Sequence, residues 1–267
     1  MSWPLSYCTL DKSPFFGFPE TLVEQAKAAA NAGFPYLTPD IFSLRTFVAG
    51  GGSLDALGAD LAAVGIDVFD ISGITISEDA DASLAEAGES ARFAAGIGAR
   101  WVQTRVPVVT DAVIDTYRRC AEAVATSGCG VALEFSPFTD VNSLDRARDL
   151  LHAVRDAAPV QGICVDSWHL DRGGDGWGAL DRLPLDELAY VQLDDALPAS
   201  SDLRADTLNR RALPGDGELD LAGFLAAFRA KGYTGVLSVE VLSAELRTLD
   251  IDDYARRCFA SAKTIAG

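Results

Sequence analysis

What most constrains this chain is a beat. Short apolar runs return roughly every 30 residues: LSYCTL (5–10), YLTPDIF (36–42), DVFDISGI (67–74), WVQTRVP (101–107), GVALEFSP (130–137), GICVDSWH (162–169), LAYVQLDDA (188–196) and GVLSVEVLS (235–243). Their length and their bounding turn residues read as strands. Between them lie stretches with helical periodicity, among them FPETLVEQAKAAANAG, which closes on Gly33 as a C-cap, and DDYARRCFASAKTIAG. Eight strands alternating with helices over residues 1–267 predict an α/β protein made of a single (β/α)8 TIM barrel. The open doubly wound sheet is the competitor. Its Gly-rich turn is missing, since VAGGGSLDAL (48–57) carries no GxGxxG after a strand, so no nucleotide cofactor is expected.

Composition narrows the partners. A hydrophobic share of 49% supplies a sizeable core, yet no run approaches the roughly 18 apolar residues of a membrane span. The opening MSWPLSYCTLDKSP lacks the basic-then-apolar order of a signal peptide, so the expected compartment is the cytoplasm and no membrane partner is expected. A net charge of −17 repels nucleic acid, whose phosphates are held by Lys and Arg. The five cysteines, Cys8, Cys120, Cys129, Cys164 and Cys258, form no CxxC pair and read as reduced, mostly buried thiols.

Barrel strands are buried on both faces, so a charge inside one is costly unless it is paired or bound to metal. Four consecutive runs break that rule late in their length: Glu134 in VALEF, Asp166 and then His169 in CVDSWH, Gln192 and then Asp194 in YVQLDD, and Glu240 in LSVEV. In a barrel these positions fall on the C-terminal rim, where active sites sit. Glu134, Asp166, Gln192 and Glu240 together offer the hard oxygen ligands that Mn²⁺, Mg²⁺ or Co²⁺ prefers. Taken singly, each has a plainer reading: helix cap, surface acid or satisfied core amide. His152, in DRARDLLHAV, is read as structural, and Asp194 and Asp195 as caps or supports. The interval 198–220 reads as an enlarged loop on the catalytic side, with its Arg210–Arg211 pair turned toward substrate and Arg211 removable at little cost in stability. Trp168, Phe135, Phe138 and Trp177 are candidates for an apolar wall.

The set LEF, VDSWH, VQLDDA, RALPGDGELD and GYTGVLSVEV resembles the xylose-isomerase-like barrel superfamily of sugar isomerases, ketose 3-epimerases, inosose dehydratases and 3-dehydroshikimate dehydratases. The resemblance is strongest from Glu134 onward. It implies Glu134, Asp166, Gln192 and Glu240 as metal ligands, and His169 and Arg211 as substrate contacts. Dimers and tetramers are common in the superfamily, which implies a homo-oligomer. DSWH, VQLDDA and RALPGDGELDLAGFL look most like the bacterial 3-dehydroshikimate dehydratases, which also use Gln at the third metal position. Two departures stand out. Asp140 or Val141 occupies the place of the dehydratases' histidine after the fifth strand, and Thr38 stands where strand two often carries Glu. The apurinic endonuclease branch, rich in histidine and basic on its DNA face, does not fit two histidines and a charge of −17.

The chemistry this implies is removal of a proton next to a carbonyl of a polyhydroxy ketone or cyclic hydroxy-keto acid. Glu134 and Glu240 flank the substrate, and a metal acts as Lewis acid. With His169 as acid, a β-hydroxyl leaves and the enzyme is a dehydratase. If one carboxylate returns the proton that the other takes, it is a ketose isomerase or 3-epimerase. A barrel serving only as a non-catalytic subunit is the reading from another class.

Overall fold

The computed structural model describes residues 3–267. The beat becomes a parallel barrel. Its strands are β1 Leu5–Cys8, β2 Tyr36–Thr38, β3 Asp67–Val68, β4 Asp70–Thr75, β5 Trp101–Arg105, β6 Gly130–Glu134, β7 Gln161–Asp166, β8 Leu188–Leu193 and β11 Leu237–Val239. They lie side by side in the order β3-β2-β1-β11-β8-β7-β6-β5-β4. β3 and β4 are two pieces of one stave broken at Phe69. The first pairs with β2 and the second with β5, so eight staves close the ring. A short antiparallel pair, β9 Asp195–Ala196 with β10 Arg211–Ala212, projects from the rim.

The helices are α1 Leu22–Ala32, α2 Ile41–Ala49, α3 Leu54–Ala63, α4 Ala80–Ile97, α5 Asp111–Ala125, α6 Leu144–Ala153, α7 Ser167–Arg172, α8 Leu203–Asn209, α9 Leu221–Ala230 and α10 Ile251–Ala266. Side-chain oxygens of Ser53, Asp79, Thr110, Ser143, Asp220 and Asp250 accept from backbone N–H groups in the first turns they precede. Each such cap stabilises its helix by about 1 kcal/mol. Gly33 ends α1 at φ 111°, as its spacing predicted. Phe224 and Phe228 of α9 are fully buried against the barrel, and each contributes about 1.5–3 kcal/mol.

Two expectations need correction. The run 36–42 is not one strand: β2 stops at Thr38 and α2 starts at Ile41. Pro39 has no N–H to give, and Asp40 caps the helix by accepting from Ser43 N at 2.8 Å and Ser43 Oγ at 2.7 Å. The interval 198–220 is not an open loop either, since it holds α8 and β10. Its turn is gathered by the Asp195 carboxylate, which accepts from the backbone N–H of Gly215, Gly217 and Leu219 at 3.0 Å each. Glycine is required at 217, because a Cβ there would meet Asp195.

The ring is joined where its two ends meet. β1 pairs with β11, Leu5 opposite Leu237. Above that join, Asp11 Oδ1 accepts from Arg247 Nη2 at 2.8 Å and from Ser243 N at 3.0 Å, and Lys12 Nζ donates to Arg247 O at 2.7 Å.

Alternation along each strand sorts the interior into layers. Phe69, Ala132, Cys164, Tyr190 and Val236 form an apolar plug. Ser6, Thr38, Asp70 and Ser238 form a buried polar layer. Ser6 Oγ lies 2.8 Å from Thr38 Oγ1, Ser238 Oγ lies 3.2 Å from it, and Tyr190 Oη donates to Asp70 Oδ2 at 2.7 Å. Two residues beyond an interior position on each strand come Cys8, Gln103, Glu134, Asp166, Gln192 and Glu240. The plug supports the rim, and the rim carries the chemistry.

Candidate active site

The organising side chain at the rim is Arg211, 2% exposed. β10 carries it in from the β9–β10 pair. Its Nη1 donates to Asp166 Oδ2 at 2.8 Å and Asp194 Oδ2 at 2.7 Å, and lies 3.4 Å from Glu240 Oε2. Nη2 donates to Thr207 Oγ1 at 3.0 Å and lies 3.3 Å from His169 Nε2, and Nε donates to Thr207 O at 3.0 Å. The planar fork is therefore spent on protein groups.

Asp166 ends β7 and caps α7 with the same side chain. Oδ1 accepts from His169 N at 2.8 Å, while Oδ2 takes Arg211. That turn throws His169 back over the rim. Since a guanidinium has only donors, Nε2 of His169 is the acceptor in its contact with Arg211, and the proton sits on Nδ1. Burial pushes the imidazole down to about 4, so it is neutral near pH 7. The sequence reading has His169 as an acid near neutral pH; a neutral imidazole already accepting from Arg211 does not suit that role. Trp168 is 1% exposed and lies outside the cavity wall, so it supports the site from behind rather than touching what enters. Its ring packs edge-on to His169, centroids 5.3 Å apart, and lies under the Arg211 guanidinium at 5.6 Å.

Four carboxylates crowd this space. Burial raises Glu134, and the nearby charges of Glu240 and Asp166 raise it further. Burial likewise raises Glu240 and Asp194. Against burial, Arg211 and then His169 hold Asp166 below the usual carboxylate range. One arginine does not neutralise the cluster, which is the electrostatic signature of a place for a further cation.

The donor set fits a hard divalent ion. Glu134, Asp166 and His169 each place a donor atom within 4.8 Å of the others. Gln192 is fully buried. Its Oε1 accepts from Gln103 Nε2 at 3.2 Å and from Cys164 Sγ at 3.1 Å, while its Nε2 has no partner among the described residues. Turning both amides over keeps the Gln103–Gln192 bond and puts a neutral carbonyl oxygen at the orphaned position. Glu240 joins the set through Arg211, and Cys8 Sγ donates to its other oxygen at 3.4 Å. Of the four expected ligands, Glu134 and Asp166 share the donor triad, and its third member is His169 rather than Gln192 or Glu240.

A cavity of about 470 Å³ opens above. Glu134 and Glu240 reach it from β6 and from the end of β11, and His169 and Arg211 lie between them. Its apolar wall is Phe15, Phe42 and Phe138. Of the aromatics expected there, Phe135 is buried in the core and Trp177 packs on Phe224 with centroids 4.9 Å apart. His152 is structural, as expected: its Nε2 lies 2.8 Å from Glu187 Oε1, which Arg148 also grips. Sequence reasoning missed Gln103, Arg105 and Asp70. All three break apolar runs late or at interior positions, and the rule that found Glu134 applies equally to them.

Known proteins resemble this chain in sequence and in fold. A 3-dehydroshikimate dehydratase of Pseudomonas aeruginosa is 37% identical over 135 residues, 50% of this chain and 21% of that protein. An inosose isomerase of Halalkalibacterium halodurans is 28% identical over 161 residues, 55% of each chain. The matched stretch therefore spans about a fifth of the dehydratase and about half of the isomerase. Among solved structures, the IolI protein with a bound zinc atom superposes with a TM-score of 0.84 at 18% identity, covering 100% of this chain and 98% of that one. The probable 3-DHS dehydratase AsbF of Bacillus anthracis superposes with a TM-score of 0.76 at 15% identity, covering 97% and 98%. These structural likenesses speak for the barrel alone. The sequence itself goes further: residues 26–259 match the xylose isomerase-like TIM barrel family, and the chain belongs to it.

Proposed function

We propose that the protein is a divalent-metal-dependent enzyme that removes a proton α to a ketone from a polyhydroxy carbonyl compound, with loss of a β-hydroxyl from a cyclic hydroxy-keto acid as its reaction. The observation that carries this is the pair Glu134, half-buried, and Glu240, buried, two carboxylates from non-adjacent strands that line one cavity, with Glu134 also in a donor triad with Asp166 and His169. Glu134, Asp166, Gln192 and Glu240, with His169 in reach, would hold the ion. A Mn²⁺, Mg²⁺ or Co²⁺ there supplies Lewis acidity to a carbonyl oxygen.

The side chains do the rest. One of the two glutamates takes the α-proton, and the other, raised by burial so that it can carry a proton, gives that proton to the β-hydroxyl, which leaves as water. Arg211 fixes Asp166, Asp194 and Glu240 relative to one another, which sets the distance between base and substrate. Phe15, Phe42 and Phe138 exclude water from the reacting face. Elimination is favoured over isomerisation by the 37% identity to a 3-dehydroshikimate dehydratase across half of the chain. Isomerisation or 3-epimerisation is the second reading, favoured by the inosose isomerase likeness and by carboxylates on two sides.

The test is a screen of cyclic and open-chain hydroxy ketones with Mn²⁺, followed by proton NMR in D₂O. Exchange at the α-carbon with loss of water is the expected outcome. Ketose interconversion without water loss replaces it with the second reading. No exchange on any ketone, with metal bound, refutes both.

A further inference from the structure

We propose that Gln103 is a positioning residue for the metal site: it accepts from the Gln192 amide N–H and so holds the Gln192 carbonyl oxygen toward a bound divalent ion. The inference deepens the proposed function and rests on its view of Gln192 as a ligand.

Three buried side chains from three strands meet here: Gln103 on β5, Cys164 on β7 and Gln192 on β8. The two amides lie 3.2 Å apart, nitrogen to oxygen. To make this contact Gln103 reaches across two staves. The residue opposite it on β6 is Ala132, whose short side chain leaves the way open. On β7 the Cys164 Sγ lies 3.1 Å from Gln192 Oε1 and 3.9 Å from Gln103 Nε2.

The pair has two forms, related by turning both amides over. With the Gln192 carbonyl on Gln103 and Cys164, its Nε2 is sealed from solvent with no acceptor among the described residues. A buried donor left unmade is costly, and it would turn N–H groups toward an ion that needs oxygen. In the other form Gln192 Nε2 donates to Gln103 Oε1 and to the Cys164 sulfur, and the Gln192 carbonyl is free for the ion. Gln103 loses nothing by the exchange. It lines the cavity, so its own Nε2 turns toward solvent or substrate.

Cys164 cannot set this orientation by itself. A thiol is both a weak donor and a weak acceptor, so it tolerates either form. The Gln103 carbonyl is the strong acceptor within reach of the Gln192 amide among the described residues. Partners that orient a metal ligand in this way change ion affinity by about 10- to 100-fold.

The test is calorimetry of Mn²⁺ binding to the full-length protein, which needs no substrate. Gln103→Met, of similar size without the amide, should weaken Mn²⁺ about 10- to 100-fold. Gln103→Glu can accept and not donate, so it should bind Mn²⁺ at least as tightly as wild type. In a Gln192→Ala background, Gln103→Met should cost nothing further, because no amide is left to orient. Circular dichroism confirms that each variant is folded, and if Gln103→Met is not, the comparison of Gln103→Glu with wild type decides. Gln103→Met that binds Mn²⁺ like wild type, an equal loss in both backgrounds, or a weakened Gln103→Glu overturns the inference. Wild type that binds no divalent ion overturns it together with the proposed function. The expected pattern of Mn²⁺ affinities without α-proton exchange leaves the inference standing and sinks the reaction instead.

Discussion

Asp194 and Arg211 meet at 2.7 Å in a place where both side chains are all but sealed from solvent. Asp194 holds more than the arginine. Its Oδ1 accepts from Ser167 Oγ at 2.5 Å and from Trp168 N at 3.2 Å, so one carboxylate ties β8 to the start of α7 and to β10. Asp194→Asn should cost about 3–5 kcal/mol, the usual penalty for breaking a buried pair by removing one partner. Urea unfolding gives the number. A loss below 1 kcal/mol would mean that the network re-forms without it.

Arg211 is the counter-charge for three carboxylates, and its removal should be felt in stability as well as turnover. Arg211 also lines the cavity, so this prediction departs from the expectation from sequence alone in the cost of removing it, and not in its place at the site. Arg211→Ala should lower Tm by several degrees and cost about 3–5 kcal/mol. Arg211→Lys should recover part of this, since lysine supplies charge without the fork. An unchanged melting curve for Arg211→Ala would return the residue to the substrate.

Binding of a divalent ion should appear in the melting curve. At about 100 times Kd, Mn²⁺ adds about 2.7 kcal/mol to the stability of a protein that binds it only when folded. Chelation with EDTA should reverse the gain and abolish turnover. Glu134→Gln, isosteric and uncharged, should fold and show a much smaller response to the ion. Identical Mn²⁺ titrations of wild type and variant would remove Glu134 from the ligand set.

Asp70 gives the fold a pH dependence of known sign. Burial pushes its carboxyl up to about 7, although Thr38 and Tyr190 donate to it. Unfolded, the same group titrates near 4. Its contribution to stability is thus complete below about pH 4 and is lost as pH rises through about 7. Unfolding free energy should fall by up to a few kcal/mol between those limits. Asp70→Asn should flatten that part of the curve. Equal slopes in urea melts of both proteins from pH 5.5 to 8 would show that Asp70 stays ionised.

The barrel was legible because its signal is repetitive. Eight apolar runs at one spacing leave little choice, and the metal-site candidates announced themselves as charges where charges are costly. What escaped notice depended on direction rather than composition. Gln103 and Arg105 point inward by the same two-residue alternation as Glu134, but neutral and basic residues near a strand end look like ordinary rim polarity. Arg211 reads as a loop residue in sequence, and only β10 folding back on β9 reveals it as buried. The break at Thr38 was invisible because IFSL continues an apolar run while Asp40 quietly caps a helix.

The join between β1 and β11 has a consequence for how the site comes into being. Glu240 lies just past β11, the last stave, and the Asp11–Arg247 pair that locks the join spans 236 residues of chain. Glu134, Asp166 and Gln192 therefore leave the ribosome on strands that have no closed ring to stand in. Loop-closure entropy must be met before those carboxylates face one another. Until that seam is made Glu240 has no place beside Glu134, Asp166 and Gln192, so an intact circle is the condition for the four to share one rim.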